Sequence, residues 1–198
     1  MAAITFPASP SVNDYFTSGT KRWQWDGTVW KATPIIPASS LTGLSAALPA
    51  GTVLQTLYVQ NTSRSENSLA MIPNDDTIPQ IGEGTEILSL TITPSSSTSK
   101  ILINVAYLLN STGYGQAAAL FRSGLSDALS VGGSYSESYG GPHPIAFLDS
   151  PATTSPVTYS LRMGAGSANI CNLNCFINSH LIYNYKTITS MFIQEIKA

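Results

Sequence analysis

Side chains that could perform catalysis are few in this 198-residue chain, and their spacing assembles no recognisable catalytic site. The two histidines, His143 in GGPHPIA and His180 in NSHLIYN, stand apart and form no HExxH-like metal pattern. Ser126 lies in GLSDAL and not in the G-x-S-x-G turn that presents a hydrolase nucleophile. We therefore expect no catalytic residue, no metal site and no cofactor, with both histidines in loops or interfaces.

Carboxylates offer the remaining route to hydrolytic chemistry. Asp75 and Asp76 are adjacent in PNDDTIP, a sequence typical of a loop. Adjacent side chains on an extended chain point apart, which argues against a glycosidase pair formed by these two residues. A pairing with a distant carboxylate, Glu83, Glu86 or Glu137, stays open.

Cys171 and Cys175 are separated by Asn-Leu-Asn. A tight turn would bring their sulfurs together, whereas a straight strand would hold them too far apart to bond. The N-terminus lacks the basic region and apolar core of a signal peptide, so we expect synthesis in a reducing cytoplasm. We therefore favour two buried free thiols.

Three segments rich in tyrosine, serine, glycine and asparagine offer binding chemistry: NSTGYGQ, GGSYSESYGGPHP and NSHLIYNYK. Tyrosine adds rigid amphipathic contact area and stacks on the apolar face of a sugar ring, while small polar residues adapt to a partner. The candidate receptor contacts are Tyr135, Tyr139, His143, Tyr183 and Tyr185. The alternative is that these segments simply join strands.

All three tryptophans lie within eight residues, in KRWQWDGTVWKA. Asp26-Gly27 between two alternating runs predicts a two-residue hairpin turn that pairs Trp23 with Trp30. Trp23, Trp25 and Trp30 then share one face. Because a module of about 30 residues rarely supports a core of its own, we expect this face to anchor a partner or to fill the core of an adaptor. The alternative is packing on the chain's own main domain.

Composition excludes two classes of partner. Only 10% of the residues are charged and the net charge is −2, with lysine and arginine scattered singly. No basic stripe exists to neutralise phosphates, so we expect no nucleic-acid binding. The longest apolar runs, such as KILINVAYLLN, are too short to cross a bilayer, so we expect no membrane insertion.

Turn signals and prolines divide the chain into three parts. We predict an N-terminal module over residues 1–32, a Pro-rich connector over 33–50 and a C-terminal head over 51–198. In the connector, Leu41, Leu44 and Leu48 have helical spacing. They indicate either a short helix that bundles with its copies or an amphipathic turn that lies on the head.

The head reads as a series of strands separated by turn clusters, which predicts an all-β sandwich or barrel. The predicted strands are TVLQTLYVQN, EILSLTITP, KILINVAYLLN, AAALFRS, VTYSLRMGA, ICNLNCFIN and TITSMFIQEI. The third and the last of these runs are apolar on both faces. A second apolar face needs cover, so we infer self-association of the head, or else cover by the chain's own loops.

Two parts of the sequence resemble proteins of bacteriophage particles. PSVNDYF followed by WQWDGTVW is similar to a short module found at the ends of many tail-fibre and virion proteins. The last 148 residues resemble the head of such fibres in IPQIGEGTEILSLTITPSSSTSKILI, AAALFRSGLSDAL, TTSPVTYSLRMGAG and SMFIQEI. The resemblance implies a trimeric, antiparallel jelly-roll head similar to tumour-necrosis-factor-like domains, with Tyr107 and Phe192 as trimer-interface candidates. Asn13, where the module often has glycine, and the two cysteines depart from the pattern.

On this resemblance we expect a structural virion protein, a homotrimeric phage tail fibre. Its N-terminal module would attach to a tail or baseplate protein, and its head would adhere to a glycan or protein of the host surface. The expected location is the virion tail, after synthesis in the host cytoplasm. The alternatives are a capsid decoration protein with the same jelly roll, and a carbohydrate-active depolymerase or esterase.

Overall fold

The computed structural model of the chain describes residues 4–33, 48–64, 69–111, 115–134, 142–167, 171–175 and 186–198. Within these ranges every regular element is a β-strand, so the prediction of an all-β chain is confirmed. The chain separates into two compact units, Met1–Leu48 and Pro49–Ala198. The helix predicted around Leu41 and Leu44 lies outside the described residues.

The N-terminal unit is a three-stranded antiparallel sheet of β1 (Tyr15–Ser18), β2 (Lys21–Trp25) and β3 (Trp30–Thr33). Trp25 pairs with Trp30, so the predicted pairing of Trp23 with Trp30 is wrong. The cause is Asp26, whose Oδ1 accepts hydrogen bonds of 2.8 Å from the backbone N–H groups of both Thr28 and Val29. These bonds move the turn one residue along the chain from its predicted position.

The three tryptophans still share one face of this small sheet, because the register changes by an even number of residues. Phe6 lies over that face, stacked on Trp30 at 5.4 Å between ring centroids and edge-on to Trp23 at 5.3 Å. Phe16, opposite Trp23 in β1, contacts the same rings. The N-terminal unit therefore has a small aromatic core of its own, although each of these rings is only half-buried.

The second unit is an antiparallel jelly-roll sandwich, as predicted. Its strands are β4 (Val53–Asn61), β5 (Thr85–Ile92), β6 (Lys100–Ser111), β7 (Gln116–Arg122), β8 (Ser130–Ser134), β9 (Pro142–Asp149), β10 (Val157–Ala165), β11 (Cys171–Leu173) and β12 (Thr189–Ile196). The first sheet has the order β9-β6-β12-β4, and β11 extends the β9 edge; the second has the order β5-β10-β7-β8. This order, with five strands in the first sheet, counting the short β11, and four in the second, is that of a jelly roll.

The core lies between the two sheets and follows the two-residue period of the strands. On β6, Ile101, Ile103 and Val105 point inward and are at most 2% exposed, while Asn104 and Ala106 point outward and are exposed. From the second sheet, Leu161 and Met163 complete the same cluster. Burial of each such side chain contributes about 1.5–3 kcal/mol to stability.

Strands β8 and β9 were not among the predicted strands, because glycine and proline in GGSYSESYGGPHP indicated a loop. Within the described residues, β9 pairs only with β6, and proline is tolerated on such an edge strand. After Pro144, Ile145 and Phe147 alternate toward the core in the ordinary strand period.

Candidate functional site

The predicted receptor contacts are placed only in part. Tyr135, Tyr139, Tyr183 and Tyr185 lie outside the described residues. The backbone of His143 belongs to β9 and pairs with Tyr107 in β6, but its side chain lies outside the described set. The role of these five residues therefore stays a prediction.

Beside Lys100 and Ile196 at one end, the outer face of the first sheet carries twelve side chains in three cross-strand rows, and none of the twelve is charged or buried. The rows, from β9 to β4, are Leu148–Leu102–Gln194–Thr56, Ala146–Asn104–Phe192–Tyr58 and Pro144–Ala106–Ser190–Gln60. We call this surface the uncharged face. Exposed strands usually carry charges that prevent edge or face association, so a surface of this composition is suited to contact with another protein.

An aromatic pair is the most prominent feature of the uncharged face. The rings of Tyr58 and Phe192 lie 5.3 Å apart between centroids in an edge-to-face arrangement. Their side chains nevertheless remain 48% and 44% exposed. Aromatic residues exposed to this degree are typical anchors of protein interfaces.

Tyr107, the other trimer-interface candidate, points into the sandwich and is only 2% exposed. Burial raises the pKa of its phenol to about 12. Its hydroxyl lies where a Cβ at Gly132 would stand, so the absence of a side chain at Gly132 makes room for the ring. Of the two candidates, only Phe192 is on the surface of the subunit.

The outer face of the second sheet is partly covered by residues 69–84, which we call the arch. The N–H groups of Ile72 and Asn74 donate to the carbonyls of Ala165 and Gly166, at 3.0 and 3.1 Å. Ile72 packs on Ala119 and Phe121, on the side of β7 that faces away from the main core. A Cβ at Gly164 would collide with the backbone of Ala70 and Ile72, so glycine allows this close approach.

A cleft of about 470 Å³ lies between the arch and the strands β7 and β8. Its floor includes Ala117 and Gly133, which are directly opposite each other in the sheet and leave space because neither has a large side chain. The apolar part of its wall consists of Ile72, Pro73, Ile78, Pro79 and Val131. The polar residues that line the cleft are Asn74, Asp75, Thr77 and Gln116.

Asp75, one of the two adjacent carboxylates noted in the sequence, lies at this cleft. The side chain and backbone N–H of Thr77 both donate to Asp75 Oδ1, at 2.6 and 2.9 Å, and these bonds lower the pKa of the carboxyl. Its neighbour Asp76 is not among the residues that line the cleft. Asp75 is therefore a fixed, ionised carboxylate at neutral pH.

Two other acidic side chains are enclosed by the fold, and no pattern in the sequence predicts either. Asp149 in β9 accepts two bonds from Arg122 Nη1, at 2.9 and 2.8 Å, and one of 2.6 Å from the Tyr159 hydroxyl. Because β9 belongs to the first sheet and both partners to the second, this cluster joins the two sheets. Burial and the bond to Asp149 raise the pKa of Tyr159 far above its ordinary value.

Glu195 in β12 is fully buried. Its two carboxylate oxygens accept bonds from the backbone and hydroxyl of Ser95, at 2.8 and 2.7 Å, and from Gln55 Nε2 at 2.7 Å. Burial alone would raise the pKa of this carboxyl, but hydrogen bonds from neighbouring side chains and from the Ser95 backbone lower it. Glu195 thus holds Ser95, which precedes the turn closed by the Ser99 N–H and the Ser96 carbonyl, onto the end of the first sheet.

The two cysteines are buried free thiols, in agreement with the expectation from the sequence. Burial, together with the nearby Cys175, raises the pKa of Cys171 to about 12. A thiol with this pKa is protonated at neutral pH and is a poor nucleophile.

The parts of the chain that the structure describes contain no group of three or more His, Cys, Asp or Glu side chains placed to hold a metal ion. Over those same ranges, no helix is long and apolar enough to cross a membrane.

The fold and its surfaces define a jelly-roll protein with an exposed aromatic pair on the uncharged face of one sheet and a cleft on the other. The chain belongs to the family of the Pgp3 C-terminal domain, whose family profile matches residues 42–198. Domains of this family form trimers. No curated protein matches the chain.

Similarity to solved structures is weak and carries no argument about function. The chain resembles a structure of infectious bursal disease virus, Gt strain, with 8% identity and a TM-score of 0.41, over 98% of this chain and 46% of that one. It also resembles dimeric latent PorU from Porphyromonas gingivalis, with 10% identity and a TM-score of 0.36, over 75% of this chain and 14% of that one. The chain thus spans less than half the length of either protein.

The family match corrects the identification made from the sequence. The chain is not a phage tail fibre, and its assignment to a virion tail is wrong, because the matching family is that of the chlamydial virulence protein Pgp3. The expected attachment to a tail or baseplate protein and the expected role as a host-adhesion fibre are withdrawn with it. The segments quoted for the resemblance are those of a trimeric jelly roll, a fold that unrelated functions share.

Proposed function

We propose that this chain is a self-associating binding protein of the Pgp3 kind, secreted and acting without catalysis, whose three sandwiches meet through the uncharged face. The family supplies the general expectation of a trimer and of a secreted virulence protein. The observation that assigns the contact to this face is the half-exposed pair of Tyr58 and Phe192 at its centre.

The energetics favour burial of this face over continued exposure. Each of the two rings still presents close to half of its surface to water, so covering it in a contact would contribute about 1 kcal/mol per ring. No charged side chain on the twelve positions would have to lose its hydration in the process. The same contact repeated around a threefold axis multiplies the gain.

The acidic clusters are consistent with a binding protein. Asp149 is held by Arg122 and Tyr159, and Glu195 is held by Ser95 and Gln55. The oxygens of each carboxylate accept hydrogen bonds from neighbouring residues of the fold. Such bonding is typical of a carboxylate with a structural role. Action without catalysis is therefore part of the proposal.

For the N-terminal unit we propose a separate role from that of the sandwich. The family match begins at residue 42, after this unit. We retain the division into a module of residues 1–32, a connector of 33–50 and a head of 51–198. Trp23 and Trp30, which contact Phe6 and Phe16, act in this proposal as core residues of the module.

Light scattering of the purified chain tests the trimer and its location together. We expect a particle of three times the 21.0 kDa chain mass at micromolar concentration. Phe192→Glu introduces three like charges into the proposed contact and should give monomers. The matched control is Val131→Glu, which adds the same charge at an exposed apolar residue on the other sheet, 47% exposed against 44% for Phe192.

Val131→Glu should remain trimeric, and circular dichroism should show that both variants are folded. A monomeric parent chain would refute the trimer. A trimeric Phe192→Glu variant would refute the placement of the contact on the uncharged face.

A further inference from the structure

We propose that the cleft beneath the arch is a binding site for an organic cation, an ammonium group carried on a short apolar chain. The site lies on the second sheet, shares no residue with the uncharged face, and does not depend on the trimer. Its volume of about 470 Å³ falls within the usual range of ligand sites.

The apolar half of the cleft fits a short chain of methylene groups. Ile78 and Val131 are 56% and 47% exposed at its wall, so apolar surface is available to a ligand there. Pro73 and Pro79 lie within the arch and limit the number of backbone conformations available to it. The wall therefore loses little conformational entropy when a ligand binds.

The charge of the cleft selects the sign of the ligand. Asp75 is the one charged side chain among the described residues that line it. From Leu69 to Ser99 the sequence contains four carboxylates and no lysine or arginine, so no cation of the arch competes for Asp75. Arg162 in β10 pairs with Glu86 at 3.7 Å but is not among the residues that line the cleft, so an anionic ligand there would be repelled by Asp75.

The geometry of Asp75 leaves it ready to accept a donor. Both hydrogen bonds from Thr77 go to Oδ1, which orients the carboxylate and leaves its Oδ2 lone pairs to a ligand. Asn74 adds a neutral polar residue to the same lining. An ammonium group, with three donors, matches such a set of acceptors.

Ligand-observed NMR on the full-length chain tests the proposal with three probes of equal length: hexylammonium, 1-hexanol and hexanoate. We expect saturation transfer to hexylammonium, a weaker effect for 1-hexanol and none for hexanoate. Asp75→Asn should weaken hexylammonium binding by about fivefold, the size of an exposed ion pair. The matched control Asp76→Asn makes the same change of charge at the adjacent residue outside the lining and should bind as the parent chain does.

A cleft-filling variant provides an independent readout. Val131→Trp places a large ring in the opening and should abolish binding of hexylammonium without changing the mass measured by light scattering. A lysine derivative blocked at both backbone ends is compared with hexylammonium. Tighter binding of the derivative identifies a protein lysine as the ligand, and tighter binding of hexylammonium identifies a free alkylamine.

Three results would overturn the cation site: no saturation transfer to hexylammonium, equal binding of hexylammonium and hexanoate, or equal affinities of Asp75→Asn and Asp76→Asn. None of these bears on the trimer, because light scattering reads the oligomeric state separately.

Discussion

The two outer faces of the sandwich differ in how they meet their surroundings. On the first sheet the strands themselves form the surface, and the uncharged face has the exposed Tyr58–Phe192 pair at its centre. On the second sheet a segment of the same chain lies across the strands, buries Ile72 against Phe121, and leaves a concave cleft beside it. A bare sheet face suits a broad contact with a copy of itself, whereas a covered face can enclose a small ligand.

The two faces also point in opposite directions, because they are the outer surfaces of two stacked sheets. If the uncharged face is at the centre of a trimer, the three clefts are directed away from the threefold axis. A partner that presents several cations could then engage more than one cleft, and avidity would exceed the affinity of a single cleft.

The largest effect should come from breaking the cluster that joins the two sheets. Arg122→Ala leaves the carboxylate of Asp149, which is 7% exposed, without its cation. We expect a loss of about 3–5 kcal/mol in the free energy of unfolding, measured by urea denaturation. Trimer formation and hexylammonium binding should weaken together, because the two sheets are no longer held at a fixed separation.

The double variant Arg122→Ala/Asp149→Ala is the control for that interpretation. Removing both partners leaves no buried charge, so it should be more stable than Arg122→Ala alone. If the double variant is the less stable of the two, the cost arises from lost packing and not from the unpaired carboxylate.

A smaller effect should separate the two faces. Ile72 is 1% exposed and fixes the arch to the second sheet, so Ile72→Ala should lower the free energy of unfolding by about 2–4 kcal/mol. Binding of hexylammonium should weaken, while light scattering on the folded variant still shows a trimer. Ile81→Ala, at a side chain of the arch that is 41% exposed and does not line the cleft, is the control and should change the free energy of unfolding by less than about 0.5 kcal/mol. Loss of the trimer in Ile72→Ala would show that the two faces are coupled.

The sequence predicts the first face better than the second. Apolar residues on both sides of the runs that became β6 and β12 indicated a second covered surface, and Phe192 lies on it. The same pattern could not assign Tyr107, because the side that faces the core depends on how the sheets stack and not on the residues of one strand. The sequence does not predict the arch, because Ile72 and Phe121 are 49 residues apart and only the folded chain brings them together.

The predicted position of the turn at Asp26-Gly27 was wrong for a different reason. Backbone preference favoured a turn at Asp26-Gly27, but the Asp26 side chain accepts bonds from two backbone N–H groups and moves the turn by one residue. Such side-chain bonds compete with the backbone pairing and have no periodic signal in the sequence.

Lowering the pH tests the hydrogen bonds of Glu195, which belongs to the first sheet and does not line the cleft. The pKa of Glu195 is lowered in the folded chain, so the stability that its bonds supply is present above the ordinary pKa of a glutamic acid and is lost as the pH falls through the folded value. Glu195→Gln should lower the free energy of unfolding by about 1 kcal/mol at neutral pH. Its difference from the parent chain should shrink as the pH falls, as read from urea denaturation at a series of pH values. A difference that stays constant with pH would exclude the ionised carboxylate as its source.

The smallest effect should come from a hydrogen bond on the second sheet that lies away from the cleft. The hydroxyls of Thr91 and Thr158 are 2.8 Å apart on a cross-strand pair and are exposed to water. Thr158→Val should change the free energy of unfolding by no more than about 0.5 kcal/mol, because water replaces the lost partner. Trimer mass and hexylammonium binding should equal those of the parent chain. A loss of either one would mean that the outer surface of the second sheet acts as a unit, and that the cleft is not the local site its lining residues describe.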